Sequence, residues 1–409
     1  MKKFDKDKYL KNLNFKRNLT KYGKYFYIGV PCVLAVVAGF YFAYSKFTVS
    51  KDVEVVKTTV GEFIHGDVVI GAYIDGKYST TIPGKNDGYA VKSVSCDNNA
   101  TGSWDKDKWG LTLTNMTKRT KCNIYFETKK NSVNDVINEA VNTNSSMFAS
   151  DDAAKNVRYI GANPNNYVYF NCSDYNNQSD STCEKWRIIG AFNNVTKSDG
   201  TKENLVKIIR DESIGNIAWD SNNVNDWSTA TLQQNLNSGT YYTTTLKNDT
   251  TRNAIESVVW NLGGTDAYNT STASMFYTAE RGTTVYSGRP TTWTGKIGLM
   301  YPSDYGYATA GGSTTNRATC LSTVLYNWDG SGVADCKNND YLFKSSYVQW
   351  TLAPYSGNAY NVFFVVSSGD VRSDGAYSTI GVRPALYLKS SISVGSGNGT
   401  STSPYKLEM

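Results

Sequence analysis

Histidine is almost missing from this chain: His65 is the single one in 409 residues. A serine–histidine or cysteine–histidine nucleophilic site therefore lacks its base, since the nucleophile needs a nearby proton acceptor at neutral pH. His65 itself, in "EFIHGD", stands without a partner and reads as a surface or turn residue. Cysteines number 7, and none has the close Cys-x-x-Cys spacing of zinc sites. No internal repeat of 20–50 residues appears, which sets aside solenoids and propellers. "GSGNGT", near the end, opens no helix, so it is no phosphate-binding loop.

What is abundant points one way. The chain carries 30 Tyr, 9 Trp and 34 Gly, with many Asn, Ser and Thr. Aromatic, β-branched and turn-forming residues favour strands and polar loops over helices. The basic charge is local. Residues 1–24 hold nine Lys or Arg against Asp5 and Asp7, a net of +7, whereas the whole chain is +6. The remainder is near −1, so the basicity belongs to a leader, and no nucleic-acid partner is expected.

Tyr25 to Tyr44 follow as an uncharged apolar run with aromatic residues at both ends. Its length suits the roughly 20 residues that cross about 30 Å of hydrocarbon. The expectation is a basic cytoplasmic leader (1–24), a single-pass anchor in the lipid bilayer (25–47) and the remainder outside the cell. A cleaved signal peptide is the alternative, although the apolar stretch is long for one. Apart from Cys32 in this stretch, the cysteines fall as three local pairs: Cys96 with Cys122, Cys172 with Cys183, and Cys320 with Cys336. Six cysteines permit about 15 pairings, and the local one is expected, as disulfides in an oxidising exterior.

Residues 49–128 alternate apolar and polar between Gly-, Asn- and Asp-rich turns, and read as a small all-β sandwich. Residues 129–156 read as a linker with one short helix at "VNDVINEAV". A large module spans 157–392, with helices expected near "NDWSTATLQQNLN" and "DTTRNAIESVVWNLG". Residues 393–409 read as a flexible Gly/Ser tail.

Several stretches of the large module carry a resemblance. In order, "YIGANPNNYVYFNC", "WRIIGAF", "KIGLMYPSDYGYA", "WTLAP" and "GVRPALYL" resemble a family of bacterial surface domains of unknown function. That family is related to the C-type-lectin-like fold shared with formylglycine-generating enzymes and variable ligand-binding proteins. The resemblance implies an α+β fold of mixed antiparallel sheets in which residues near 167–170 lie beside 381–388. It also implies two helices packed on the sheets, and long loops that carry any ligand site. The Glu-Pro-Asn or Gln-Pro-Asp triplet and the Trp-Asn-Asp strand of calcium-dependent lectins are missing, and nothing marks Cys320 or Cys336 as catalytic.

The expected function is recognition or adhesion toward a glycan, a peptide or an envelope component. A structural role in a surface or secretion assembly, or an envelope-acting enzyme, are the alternatives. No catalytic residue and no cofactor is expected. The one cation candidate is calcium, at Asn327, Asp329 and Asp335 in "NWDGSGVAD". Aromatic residues in predicted loops are the candidate ligand surface: Trp293, Tyr301, Tyr305, Tyr307, Tyr355 and Tyr360, with Asp304 among them. Trp186, Trp350, Gly381 and Arg383 are expected to be structural. In "GVRP", Arg383 ties loop carbonyls or a carboxylate such as Asp370 or Asp374, and Pro384, lacking an N–H, starts or edges a strand.

Overall fold

The computed structural model describes the strand Val56–Thr58, residues 68–85 and residues 87–409. They fall into two units divided between Lys129 and Lys130. The basic leader, the expected anchor over 25–47 and His65 lie outside the described residues. Among the described residues, no helix is long and apolar enough to cross a membrane. The expected α+β class holds, with several sheets and seven α-helices among the described residues, and the expected N-terminal transmembrane helix is corrected, since none of the described helices can span.

In the first unit, one sheet orders the strands Lys77–Ser79, Val68–Ile74, Thr120–Thr128 and Tyr89–Cys96. A second orders Val56–Thr58, Gly110–Thr114 and Thr101–Asp105. Alternation along Thr120–Thr128 sends Cys122, Ile124 and Phe126 inward, where they pack with Trp109, Leu111 and Leu113. Cys96 and Cys122 stand opposite each other in register and form a disulfide.

The second unit is built on a seven-stranded sheet. Its path runs Ile297–Gly298, Ala385–Leu388, Lys202–Arg210, Glu184–Thr196, Val157–Tyr159 and Phe148–Ala149, and Tyr167–Phe170 also pairs with Glu184–Thr196. The run from Trp186 to Phe192 is buried without a break, as a central strand covered on both faces must be. Gly190 sits where this strand meets Val157–Tyr159, and a Cβ there would lie 2.2 Å from the Val157 carbonyl oxygen. Only glycine permits that approach.

A five-stranded sheet follows, in the order Asn216–Ala218, Thr379–Gly381, Gln349–Pro354, Asn361–Val365 and Val371–Gly375. The helices Thr231–Asn237, Ala273–Glu280 and Pro302–Ala308 contribute buried side chains to the same core. Cys172–Cys183 and Cys320–Cys336 are bonded as well, so all three local pairs are disulfides.

Several expectations are revised. The helix Val133–Thr143, capped by Ser132 and Asp135, buries Val133 and Ile137 in the large core. Residues 130–156 thus belong to the second unit and are no free linker. Residues 393–409 are no loose tail: Ser393–Ser396 pairs with Lys406–Glu408, and Tyr405 and Leu407 are buried. The strand Tyr167–Phe170 lies beside residues 184–187 and bridges to Tyr405 through Val168, not beside 381–388. Ala385–Leu388 pairs instead with 206–209. The helix expected through "AIESVVW" stops at Ala254, and Val258–Asn261 is a strand. The β-branched pair Val258 and Val259 fits a pleated strand better than a helix turn.

Candidate functional site

A buried ionic cluster sits on the seven-stranded sheet. Lys207 stands in the middle of the apolar run "LVKIIR" and is fully buried. Arg158, on the neighbouring side of the sheet path, is equally enclosed. Both reach Asp304, at 2.5 Å from the Lys207 Nζ and 2.7 Å from the Arg158 Nη1. Arg158 Nε also donates to Asp152 at 2.8 Å. Asp304 is placed by its helix: Pro302 opens the first turn, and the Asp304 carboxylate accepts the Tyr301 N–H at 3.0 Å. Burial alone would push this carboxyl up, but Lys207 and Arg158 outweigh it and hold Asp304 well below the usual carboxylate range.

Glu280 is the contrasting acid. It closes the helix Ala273–Glu280, is fully buried, and accepts the N–H and hydroxyl of Ser303. Burial pushes its pKa up to about 7, against the pull of Arg281 and Ser303. A carboxyl raised in the folded state contributes stability that is fully present below its unfolded pKa and is lost as pH rises through the folded one. Unfolding free energy is therefore expected to fall between pH 4.5 and about 7, with a slope approaching ~1.4 kcal/mol per pH unit. In E280Q that slope is reduced by the share of Glu280, and the share of Asp340, whose pKa burial also raises, remains. Urea titrations at half-unit pH steps check this, and an unchanged slope in E280Q refutes it.

Against this cluster lies a cleft of about 260 Å³. Phe192, Trp260, Tyr277, Tyr301 and Tyr387 supply its aromatic walls, and Asn156, Asn193, Asn194 and Asn261 its amides. Arg281 is the single charged side chain in the lining, and no carboxylate lines it among the described residues. The aromatic floor rests on buried cations. Lys207 Nζ lies 4.5 Å from the Tyr301 ring centroid, 5.2 Å from that of Trp260 and 5.7 Å from that of Tyr387. Arg158 lies 4.6 Å from the centroid of Phe192. Such contacts fix the rings, each cation facing a negative π surface.

The rings are locked on other sides too. Trp260 donates to the Gly295 carbonyl at 3.1 Å, and the Tyr301 hydroxyl and the Asn261 backbone exchange two bonds of 3.0 Å. Asn156 holds the Tyr277 hydroxyl at 3.2 Å through its amide N–H.

A larger depression, about 740 Å³, lies beside the C-terminal hairpin. Tyr175 is its lone aromatic side chain. Its Gln178 side chain is already engaged with the Tyr175 and Leu407 backbones, and Glu408 with Lys130. It is a wide polar hollow, and the smaller cleft has the more ordered chemistry.

The residues expected to form a loop surface are dispersed, and this expectation is corrected. Tyr301, Asp304, Tyr305 and Tyr307 lie at or on the helix Pro302–Ala308 and are buried. Of the candidates, Tyr301 alone lines the cleft. Trp293 is half-buried opposite Trp260 in a two-stranded ribbon. Tyr355 is half-buried against Tyr268 and Phe363, whereas Tyr360 is exposed. Asp335 is occupied by the backbone N–H groups of Thr314 and Thr315, and Asp329 faces Arg372. Among the described residues no group of three His, Cys, Asp or Glu side chains is arranged to hold a metal.

Trp186 and Trp350 are core residues. A Cβ on Gly381 would lie 2.6 Å from the Val348 carbonyl oxygen, so this position needs glycine. Arg383 is buried and donates to the carbonyls of Arg210 and Leu342 and to Gln349 Oε1, at 2.9–3.1 Å. Its nearest carboxylate is Asp211, at 4.0 Å, rather than Asp370 or Asp374.

Sequence reasoning missed Trp260, Tyr277, Arg281, Tyr387 and the ionic cluster. The available signals were a lone lysine in an apolar strand and the helix-forming "TASMFYTAE" within a stretch otherwise read as loop.

Residues 203–390 match a family model described as Domain of unknown function (DUF6273), so the chain contains a domain of that family. The match takes in Lys207, Trp260, Tyr277, Glu280, Arg281, Tyr301, Asp304 and Tyr387, whereas Arg158, Asn156 and Phe192 come from the segment before it. No curated protein and no solved structure matches the chain.

Proposed function

We propose that this is an extracytoplasmic recognition protein whose large unit binds a saccharide in the cleft around Trp260. The observation that carries this reading is the lining of a space of about 260 Å³: five aromatic side chains, with the Asn194 and Asn261 amides uncommitted among the described residues. Those of Asn156 and Asn193 are held by Asp152, Tyr277 and backbone groups. Aromatic faces pack against the apolar side of a sugar ring, and an amide donates to one hydroxyl while accepting from its neighbour. The space suits one ring of a longer glycan, whose remainder stays outside. Three disulfides favour an oxidising compartment, and the segment resemblance to C-type-lectin-like surface domains agrees with a recognition role.

Binding is favoured over turnover. The carboxylates close to the lining, Asp152, Asp304 and Glu280, are buried and committed to Arg158, Asn156, Lys207 and Ser303. Glycoside hydrolysis needs two carboxyls flanking the scissile bond, and none lines this cleft among the described residues.

The test is a glycan array probed with the full chain, followed by calorimetry on the best ligand. A saccharide that binds the wild type, and binds Trp260→Ala at least about tenfold more weakly while that variant keeps the wild-type circular dichroism and a cooperative thermal transition, supports the reading. Trp260 is 1% exposed, so the fold of the variant is checked first. Glycan binding undiminished by Trp260→Ala places the site elsewhere and refutes it.

A further inference from the structure

We infer that the ligand of this cleft is an acidic saccharide, whose carboxylate pairs with Arg281. The inference rests on the saccharide reading above and adds the charge of the ligand. Arg281 follows directly on the helix Ala273–Glu280 and lies flat on the Tyr277 ring, 3.5 Å from its centroid. One of its terminal nitrogens, Nη1, is spent on Glu280 at 3.0 Å and on the Tyr277 carbonyl at 3.2 Å. Nε and Nη2 have no hydrogen-bond partner among the described residues, and the side chain remains 25% exposed where it lines the cleft. These two nitrogens form one edge of a planar fork. That edge matches the two oxygens of a carboxylate, and the stacked ring keeps it from turning away.

The surroundings point to the same ligand charge. The lining has one cation and no anion among the described residues. Directly behind it, Arg158 and Lys207 face Asp152 and Asp304, so two cations meet two carboxylates. Glu280 is the acid left to balance Arg281. A neutral sugar leaves the free edge of Arg281 without a charged acceptor, whereas an acidic sugar supplies one.

The experiment presents the full chain with oligosaccharides that carry uronic, muramic or sialic acids. Each is paired with its methyl ester and its carboxyl-reduced form. The expected result is that the free acids bind at least about tenfold more tightly than their neutral partners, the usual size of a charge-assisted hydrogen-bond pair. Arg281→Gln is expected to bind acid and ester equally, and Arg281→Lys to retain part of the preference. The ester comparison in the wild type needs no variant to fold. Equal binding of acids and esters by the wild type overturns this inference and leaves the saccharide reading standing. Failure of every saccharide to bind overturns both.

Discussion

Asp304→Asn is expected to lower the unfolding free energy by about 3–5 kcal/mol, the usual cost of removing one partner from a buried ion pair. Asparagine keeps the size of the side chain and an acceptor for the Tyr301 N–H. It removes the charge that faces Lys207 and Arg158, both enclosed. Arg158 retains Asp152, but Lys207 has only aromatic rings left within reach. The measurement is the urea midpoint at pH 7, with Lys207→Met and the double variant completing a cycle. The double variant should be more stable than Asp304→Asn alone, because methionine removes the stranded ammonium. A loss below about 1 kcal/mol in Asp304→Asn would mean that the cluster is solvated, and would sink this account.

The pH dependence of the same residue runs opposite to that of Glu280. A depressed carboxyl contributes stability that is present above its unfolded pKa, near ~4, and is lost as pH falls toward the folded value. Wild-type stability should therefore decline in acid, with that limb much reduced in Asp304→Asn. With Glu280 weakening the fold as pH rises, the stability maximum should lie in mildly acidic solution.

The second large effect is expected at Arg383→Met, about 3 kcal/mol. Methionine fills much of the space but leaves the Arg210 carbonyl and Gln349 Oε1 without the donors that Arg383 gives them. Unsatisfied buried acceptors cost about 1–3 kcal/mol each. Leu342 keeps the Gln349 amide as a donor, so its carbonyl is spared. Arg383→Lys should recover less than half of the loss, since one ammonium cannot span acceptors set apart by a planar guanidinium. Thermal midpoints of the three proteins decide the matter, and a methionine variant within about 0.5 kcal/mol of wild type would contradict it.

Local features were legible in the sequence, and distant ones were not. The disulfide pairs lie 26, 11 and 16 residues apart, each within one module, and proximity along the chain was enough to find them. Arg383 was readable as a closing device because a charge inside an apolar strand must find acceptors. Asp304 was visible, yet it read as part of a polar tyrosine-rich loop. Its partners lie 97 and 146 residues away, and nothing in the local pattern names them. The signs of a helix start, Pro302 and Asp304 in the first turn, were outweighed by the surrounding Gly and Tyr. The cleft was missed for a similar reason. Trp260 was placed on a helix, although Val258 and Val259 fit a strand. Tyr277 and Arg281 fell within a stretch read as irregular, so no sequence segment gathered the walls together.

The pairing of residues 206–209 with 385–388 also sets an order in time. The strand Ala385–Leu388, between Ile297–Gly298 and Lys202–Arg210 in the seven-stranded sheet, is made after both of these neighbours. Lys202–Arg210 is supplied nearly the full length of the matched domain earlier. Any nascent fragment that stops before Ala385 lacks both that strand and the Tyr387 wall of the cleft. Joining contacts so far apart is entropically costly and slow. The large unit is thus expected to stay open during synthesis and to fold in one late step.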